Sequence, residues 1–316
     1  MAGFPPVPGP KLNPFNAGSE PLKIEFIEHL GKGDHAHVWK VSINEKIYAL
    51  KIFTFFHNYD PPDRYKLELT ADETDAYLHP FGCECRAYAR IRDVGADALV
   101  ARCYGYLLLD QEQQASLRQA DAFDWEKDWG YEEAEDAGKP LRALVKEFVA
   151  LPDPPADGVG RWETEVAVSP RSAPRLISTV RTLHRSGILV RDISLANVIE
   201  ARILEFSMAW TMPHPCLARV RWQDRAHRDA CDVDGIIDAW NEMHSVERAG
   251  REFEGVIWVR MLQNNVYAKK LRSRGNRGEY NEANYGYRRK VLDFDCRKFE
   301  ARNKKKKKKK KSSKIA

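Results

Sequence analysis

What the sequence has least of is uninterrupted apolar chain. No stretch approaches the roughly 18 residues that a membrane span needs. The opening MAGFPPVPGP is broken by prolines where a secretory leader requires a continuous apolar segment. These absences predict a nuclear or cytoplasmic protein. Cysteine is scarce too. Cys83, Cys85, Cys103, Cys216, Cys231 and Cys296 are scattered, the closest pair is C-x-C, and no second pair or histidine cluster completes a zinc spacing. Reduced thiols are therefore expected rather than metal ligands. No internal repeat is visible. What is present, 43% hydrophobic and 31% charged residues over 316 positions, suffices for a globular chain with a sizeable core.

The net charge of +5 hides an uneven distribution. Eight consecutive lysines, Lys304 to Lys311, account for more than all of it, and without them the balance is −3. A lysine run repels itself and stays unfolded. It reads as a nuclear import signal, as a non-specific contact to nucleic acid or acidic lipid, or as a low-complexity end with no dedicated partner.

Residues 1–20, rich in Pro, Gly and Asn, predict a disordered arm. Leu22 to Leu30 and His37 to Ile43 read as strands around a GKGD turn. Lys46 to Phe55 is a third, joined to the second by Asn44-Glu45. Phe81 to Val94 has helix spacing, and Val100 to Leu109 and Leu141 to Val149 are further strand candidates. Between them, residues 121–138 carry eight acids and one lysine, which predicts a solvated insertion with two tryptophans available to a partner. After the connector LPDPPADGVG the chain turns helical: Ala173 to Ser186, stopped by Gly187, and Val233 to His244, with short strands near Ile199 and Ile203 to Phe206. Strands, then a connector, then helices is the order of an α+β protein. The expected divisions are a first lobe over 21–150 with an acidic insert at 110–140, a second over 151–303, and a tail over 304–316.

Three motifs carry chemistry. Gly31-Lys32-Gly33-Asp34-His35-Ala36 is a glycine-rich turn between strands, where backbone N–H groups can approach a phosphate without Cβ obstruction. Ala49-Leu50-Lys51 ends a strand and matches the V-A-I-K pattern, whose lysine pairs phosphates and needs a carboxylate to hold it. Glu84 on the following helix is the first candidate and Glu73 the second. Gly187 to Asn197 (GILVRDISLAN) has Asn five residues after Asp, the spacing of H-R-D-x-x-x-x-N. There Asp192 would accept the proton of an attacking hydroxyl and Asn197 would coordinate magnesium. His227-Arg228-Asp229 is a literal H-R-D with Asp234 where Asn is required, so it reads as leading into a helix whose Asp232 braces the catalytic loop.

Gly33, Lys51, Glu84, Asp192 and Asn197, in that order, resemble a protein kinase. HLGKGDHAHVWKV, ECRAYARI, VRDI and EFSMAWTMPHP further resemble a divergent fungal kinase-like family named after a kinetochore subunit, over about residues 24–244. The resemblance implies a two-lobed kinase-like fold with a β-rich N-lobe and a shortened helical C-lobe. It implies an ATP site of Gly31, Gly33, Ala36, Val38, Ala49, Lys51, Glu84, Glu147 and Val149, with Asn197 and Glu205 holding Mg²⁺ and Asp192 and Lys51 catalytic. Glu205-Phe206-Ser207 stands where kinases carry D-F-G, and a longer acid displaces its carboxylate from a metal that tolerates little misplacement. Ser194 and Ala196 replace the usual loop cation. Two functions follow: ATP-dependent phosphoryl transfer to protein Ser/Thr, or a catalytically impaired pseudokinase scaffold in a nuclear, kinetochore assembly.

Overall fold

A computed structural model describes residues 5–18, 22–55, 67–120, 123–151, 166–169, 172–218 and 222–246. The lysine run, Cys296 and much of the connector lie outside them. The chain is mixed α+β and divides into two compact units, Met1–Pro152 with Glu205–Ala209, and Asp153–Leu204 with Trp210–Ala316.

The first unit is built on a five-stranded antiparallel sheet of order β1-β2-β3-β5-β4. Its strands are β1 (Ile24–Lys32), β2 (Ala36–Ile43), β3 (Lys46–Phe53), β4 (Cys103–Leu109) and β5 (Leu141–Lys146). Asn44 and Glu45 both take positive φ, 48° and 66°, in the two-residue turn that joins β2 to β3. Period-two alternation sends Trp39, Val41, Ile43, Leu50, Ile52, Ala143 and Val145 to one face, where they form the core.

The acidic segment belongs to that core, contrary to the expectation of a solvated insertion. Trp129 is fully buried against the sheet and stacks on His37 at 4.2 Å, and Trp125 stacks on Trp129 at 5.3 Å. The Arg118 guanidinium lies 4.1 Å from the Trp125 ring. It comes from α3 (Gln111–Ala120). Two aromatic rings bury enough apolar area to hold down a segment in which Asp124, Glu126, Glu132, Glu133 and Glu135 stay exposed while Asp136 is itself buried.

Residues 5–18 are also ordered. Pro14 bridges Tyr106 beside β4, with Phe15 N–H donating to the Tyr106 carbonyl at 2.8 Å, and Val7 and Leu12 are buried. A Cβ at Gly105, whose φ is 152°, would lie 2.6 Å from the Phe15 nitrogen, so glycine is required for this close approach.

Two helices follow β3. In α1 (Ala71–Tyr77), Thr70 and Glu73 form a reciprocal capping box. Then α2 (Pro80–Val94) starts at His79, with proline in its first turn, and ends at Gly95 in the left-handed conformation. A four-residue α4 (Glu133–Asp136) precedes β5.

The second unit contains α5 (Ala173–Arg185) and α6 (Trp222–Val246). The latter is longer than the Val233 to His244 expected. Gly187, φ 81°, ends α5 and donates to the His184 carbonyl. The short strands pair β6 (Ile188–Leu189) with β9 (Trp210–Thr211), and β7 (Val198–Ile199) with β8 (Arg202–Ile203). Among the described residues no helix is long and apolar enough to cross a membrane.

Candidate functional site

The face of the first sheet opposite the tryptophan core gathers most of the predicted nucleotide residues. Val38 pairs with Lys51, Lys51 with Leu144, and Ala49 with Lys146. Cross-strand partners share a face, so Ala36, Val38, Ala49, Lys51 and Lys146 point the same way. Helix spacing in α2 turns Phe81, Glu84 and Tyr88 toward one side. Phe81 meets Phe53 edge-on at 5.5 Å, which fixes the helix over this face.

At its centre lies a cluster of four charges. Lys51 Nζ donates to Glu84 Oε2 at 2.7 Å and lies 2.8 Å from Glu205 Oε1. Lys146 Nζ donates to the other Glu84 oxygen at 2.8 Å. Glu84 is wholly buried, and the side chains of Lys51 and Lys146 are 5% and 9% exposed. Two ammonium groups and two carboxylates balance, which is the condition under which buried charge persists. Glu205 is the most open member, at 29%. Burial pushes its carboxyl up. The charge and hydrogen bond of Lys51, the Ser207 hydroxyl and Lys146 more than reverse that, bringing its pKa to about 2. Phe206 anchors this segment edge-on against Tyr88, with ring centroids 5.1 Å apart. Burial pushes the Tyr88 phenol well up, reinforced by Glu84.

Glu84 is therefore the partner of Lys51, and the alternative, Glu73, serves the capping box of α1. Lys146 was not foreseen. A lysine inside the otherwise apolar strand LRALVK, directly opposite Ala49 and near Lys51, was the available signal.

The glycine turn is open. Neither Gly31 nor Gly33 takes a positive φ, and a Cβ at Gly31 would meet nothing within 4 Å. Packing among the described residues therefore does not explain glycine at Gly31. Beyond β5, Glu147 N–H donates to the Arg102 carbonyl at 2.8 Å, its side chain accepts from Arg102 N–H at 3.2 Å, and Val149 is half-buried.

In the second unit the loop carrying Asp192 is shaped by Asp229. This wholly buried acid accepts from Val190 N–H and Arg191 N–H, both at 2.8 Å, and lies 2.9 Å from His184 Nε2. Asp229 therefore braces the loop, and Asp232, the brace expected, also accepts a hydrogen bond from the Ile193 backbone N–H of the same loop. The H-R-D triplet at 227–229 supplies an acid that holds the loop instead of a reacting group. On α6, buried Ala226, Asp229, Ala230, Val233 and Ile236 follow helix spacing, a pattern legible in the sequence. Arg191 takes φ 70°, and its guanidinium lies 4.0 Å from the buried Trp210 ring. Asn197 Nδ2 donates to Asp192 Oδ2 at 3.0 Å and to the Asp192 carbonyl at 3.3 Å, so the predicted pair does meet. Asp232 is half-buried, and its carboxyl is pushed up to about 6 by burial and by the neighbouring Asp229.

Magnesium does not fit the residues as arranged. The Glu205 oxygen that would serve it already accepts from Lys51 and Ser207, placing an ammonium where a divalent cation would have to approach. Asn197 donates its amide nitrogen to Asp192. Among the described residues no group of three or more His, Cys, Asp or Glu side chains is gathered for a metal.

The sequence profile of one protein family, described as kinetochore Sim4 complex subunit FTA2, matches residues 2–210. No curated protein matches the chain.

Proposed function

Because the chain belongs to the kinetochore Sim4 complex subunit FTA2 family, we propose that it is a non-catalytic structural subunit of a nuclear, kinetochore-type assembly. In this reading a two-lobed protein-kinase-like frame, lobes over 21–150 and 151–303, serves as a surface for protein partners. One observation carries it: the lysine that would grip a nucleotide phosphate is engaged by two carboxylates of its own unit, one of them Glu205, the would-be metal ligand. A phosphate must displace Glu205 from an ion pair that is mostly withdrawn from water, and a metal must displace the ammonium. The lysine run Lys304–Lys311 suits nuclear entry.

The experiment has two arms. Purified protein incubated with radiolabelled ATP and Mg²⁺ should transfer no phosphate above background. Lys51→Met and Asp192→Ala variants should recruit the other subunits of the complex as wild type does. Phosphate transfer that disappears in Asp192→Ala overturns the reading in favour of an ATP-dependent Ser/Thr kinase. The Lys51–Glu84 and Asp192–Asn197 pairs favour that second reading. In it Lys51 and the glycine turn would hold ATP, and Asp192 would take the proton of the substrate hydroxyl.

A further inference from the structure

The segment after α3 folds two aromatic rings into a corner that holds a cation. Trp125 stacks on the buried Trp129, with centroids 5.3 Å and planes 18° apart, and is itself half-buried. Tyr131 stands at 80° to Trp125, 6.2 Å away. It is fixed there by its N–H donating to the Trp125 carbonyl at 3.0 Å and by an edge-on contact with Phe55 at 5.4 Å. Gly130 makes the return possible: its φ is 62°, and a Cβ there would lie 2.7 Å from the Phe55 carbonyl oxygen. Into this corner reaches Arg118, from the last turn of α3. Its guanidinium lies 4.1 Å from the Trp125 ring centre and 5.5 Å from that of Tyr131.

Among the described residues no carboxylate pairs with Arg118, although it is exposed and the segment that follows is rich in acids. The rings alone hold the guanidinium, and an exposed contact of this kind is worth a factor of only about two to five. A cation held so lightly exchanges with another of the same kind. In sequence the corner is flanked by exposed Asp124 and Glu126 on one side and by exposed Glu132, Glu133 and Glu135 on the other. Against them stands Lys127, 3.9 Å from Asp124. Asp128 and Asp136, by contrast, are paired with Lys32 and Lys139. A planar guanidinium stacks on ring faces better than a compact, strongly hydrated ammonium does. The surrounding acids suit further basic residues on either side of it.

We propose that the Trp125–Tyr131 corner is a docking site for an arginine-bearing basic segment of a partner protein, and that Arg118 fills it until that segment arrives. Arg118 displays in place the chemistry the corner accepts, and the exposed acids supply the charge complementarity. This deepens the structural-subunit reading by naming the chemistry of a partner, and it rests on that reading. It uses none of the residues of the Lys51 cluster.

The test titrates the full-length protein with a fluorescein-labelled peptide of alternating arginine and glycine, read by fluorescence polarisation. Matched peptides carry lysine, or neutral citrulline, at the arginine positions. Arg118→Ala vacates the corner and should bind the arginine peptide at least about threefold more tightly than wild type. Adding Tyr131→Leu or Trp125→Leu to Arg118→Ala should abolish that gain, with thermal melts establishing which variants fold. The two ring variants guard against one of them failing to do so. Arg118→Ala should bind the lysine peptide less tightly than the arginine peptide, and the citrulline peptide least of all. Unchanged affinity in folded Arg118→Ala overturns the proposal, as does equal binding of the lysine and arginine peptides. A gain that survives in a folded ring variant also overturns it, because the acids are then attracting the peptide by charge alone. A gain that appears with Lys304→Ser to Lys311→Ser but not with Arg118→Ala assigns the corner to the chain's own lysine run and overturns it too. A failure here leaves recruitment of the other subunits, the test of the structural role, untouched. Phosphate transfer by wild type removes the structural role whatever the peptides do.

Discussion

The two units treat their would-be catalytic acids in opposite ways. In the first, Glu84 and Glu205 are drawn into a cluster with two lysines, three of the four mostly withdrawn from water. In the second, Asp192 stays on an exposed loop, while the buried carboxylate work falls to Asp229. A carboxylate's place in a motif therefore does not fix its energetic role. Its partners do: Glu84 and Asp229 are structural because removing them strands buried donors, whereas Asp192 is exposed to water.

The largest effect separating these classes is expected at Glu84. Glu84→Ala leaves two mostly buried ammonium groups short of a partner and should cost about 4 kcal/mol in urea unfolding. A cost below ~1 kcal/mol would mean the cluster is wet. Asp229→Ala strands two backbone N–H groups and His184, and about 3 kcal/mol is expected from the same measurement. If Asp229→Ala instead unfolds no more easily than wild type, the brace is not holding the loop.

Next comes pH. The Glu205 carboxyl sits at about 2 against an ordinary value of 4.5. A depressed acid stabilises the fold in full above its unfolded value, and that contribution fades as pH falls from about 4.5 toward 2. The shift converts to about 2–3 kcal/mol after allowing for the part of the side chain in solvent. Wild type should therefore exceed Glu205→Gln in stability at pH 7, and the gap should shrink by more than half by pH 3 and close only below about pH 2. A constant gap removes the ion pair as its source. Asp232 runs the other way. Its raised carboxyl destabilises the fold as pH climbs from the ordinary value through about 6, so Asp232→Asn should raise the neutral melting temperature. Smallest of all, Asp192→Ala should change stability by no more than ~0.5 kcal/mol.

Much of the first unit could be read from residues alone. Period-two alternation and the Asn44-Glu45 turn gave the hairpin, and a lysine ending a strand ahead of an acid-bearing helix gave Lys51 and Glu84. The acidic segment was misread because composition averages over positions: eight acids outvote Trp125 and Trp129, yet the two rings decide where the backbone goes. The N-terminal arm was misread similarly, since Pro and Gly content does not reveal that Gly105 leaves room for Phe15. The sequence reading gives Glu205 only as an expected metal ligand, and its attraction to Lys51 depends on tertiary placement that spacing does not encode. Lys146 and Asp229 went unassigned for the opposite reason. Each carried a local signal, a cation in an apolar strand and an acid on a buried helix stripe, that motif matching passed over.

The most direct test of the account is a double-mutant cycle on Lys51→Met and Glu205→Gln, read by urea unfolding at pH 7. The pairing described here predicts a coupling of about 2 kcal/mol between the two positions. Strictly additive costs would mean that Lys51 and Glu205 do not hold one another, and the self-occupied site would not exist.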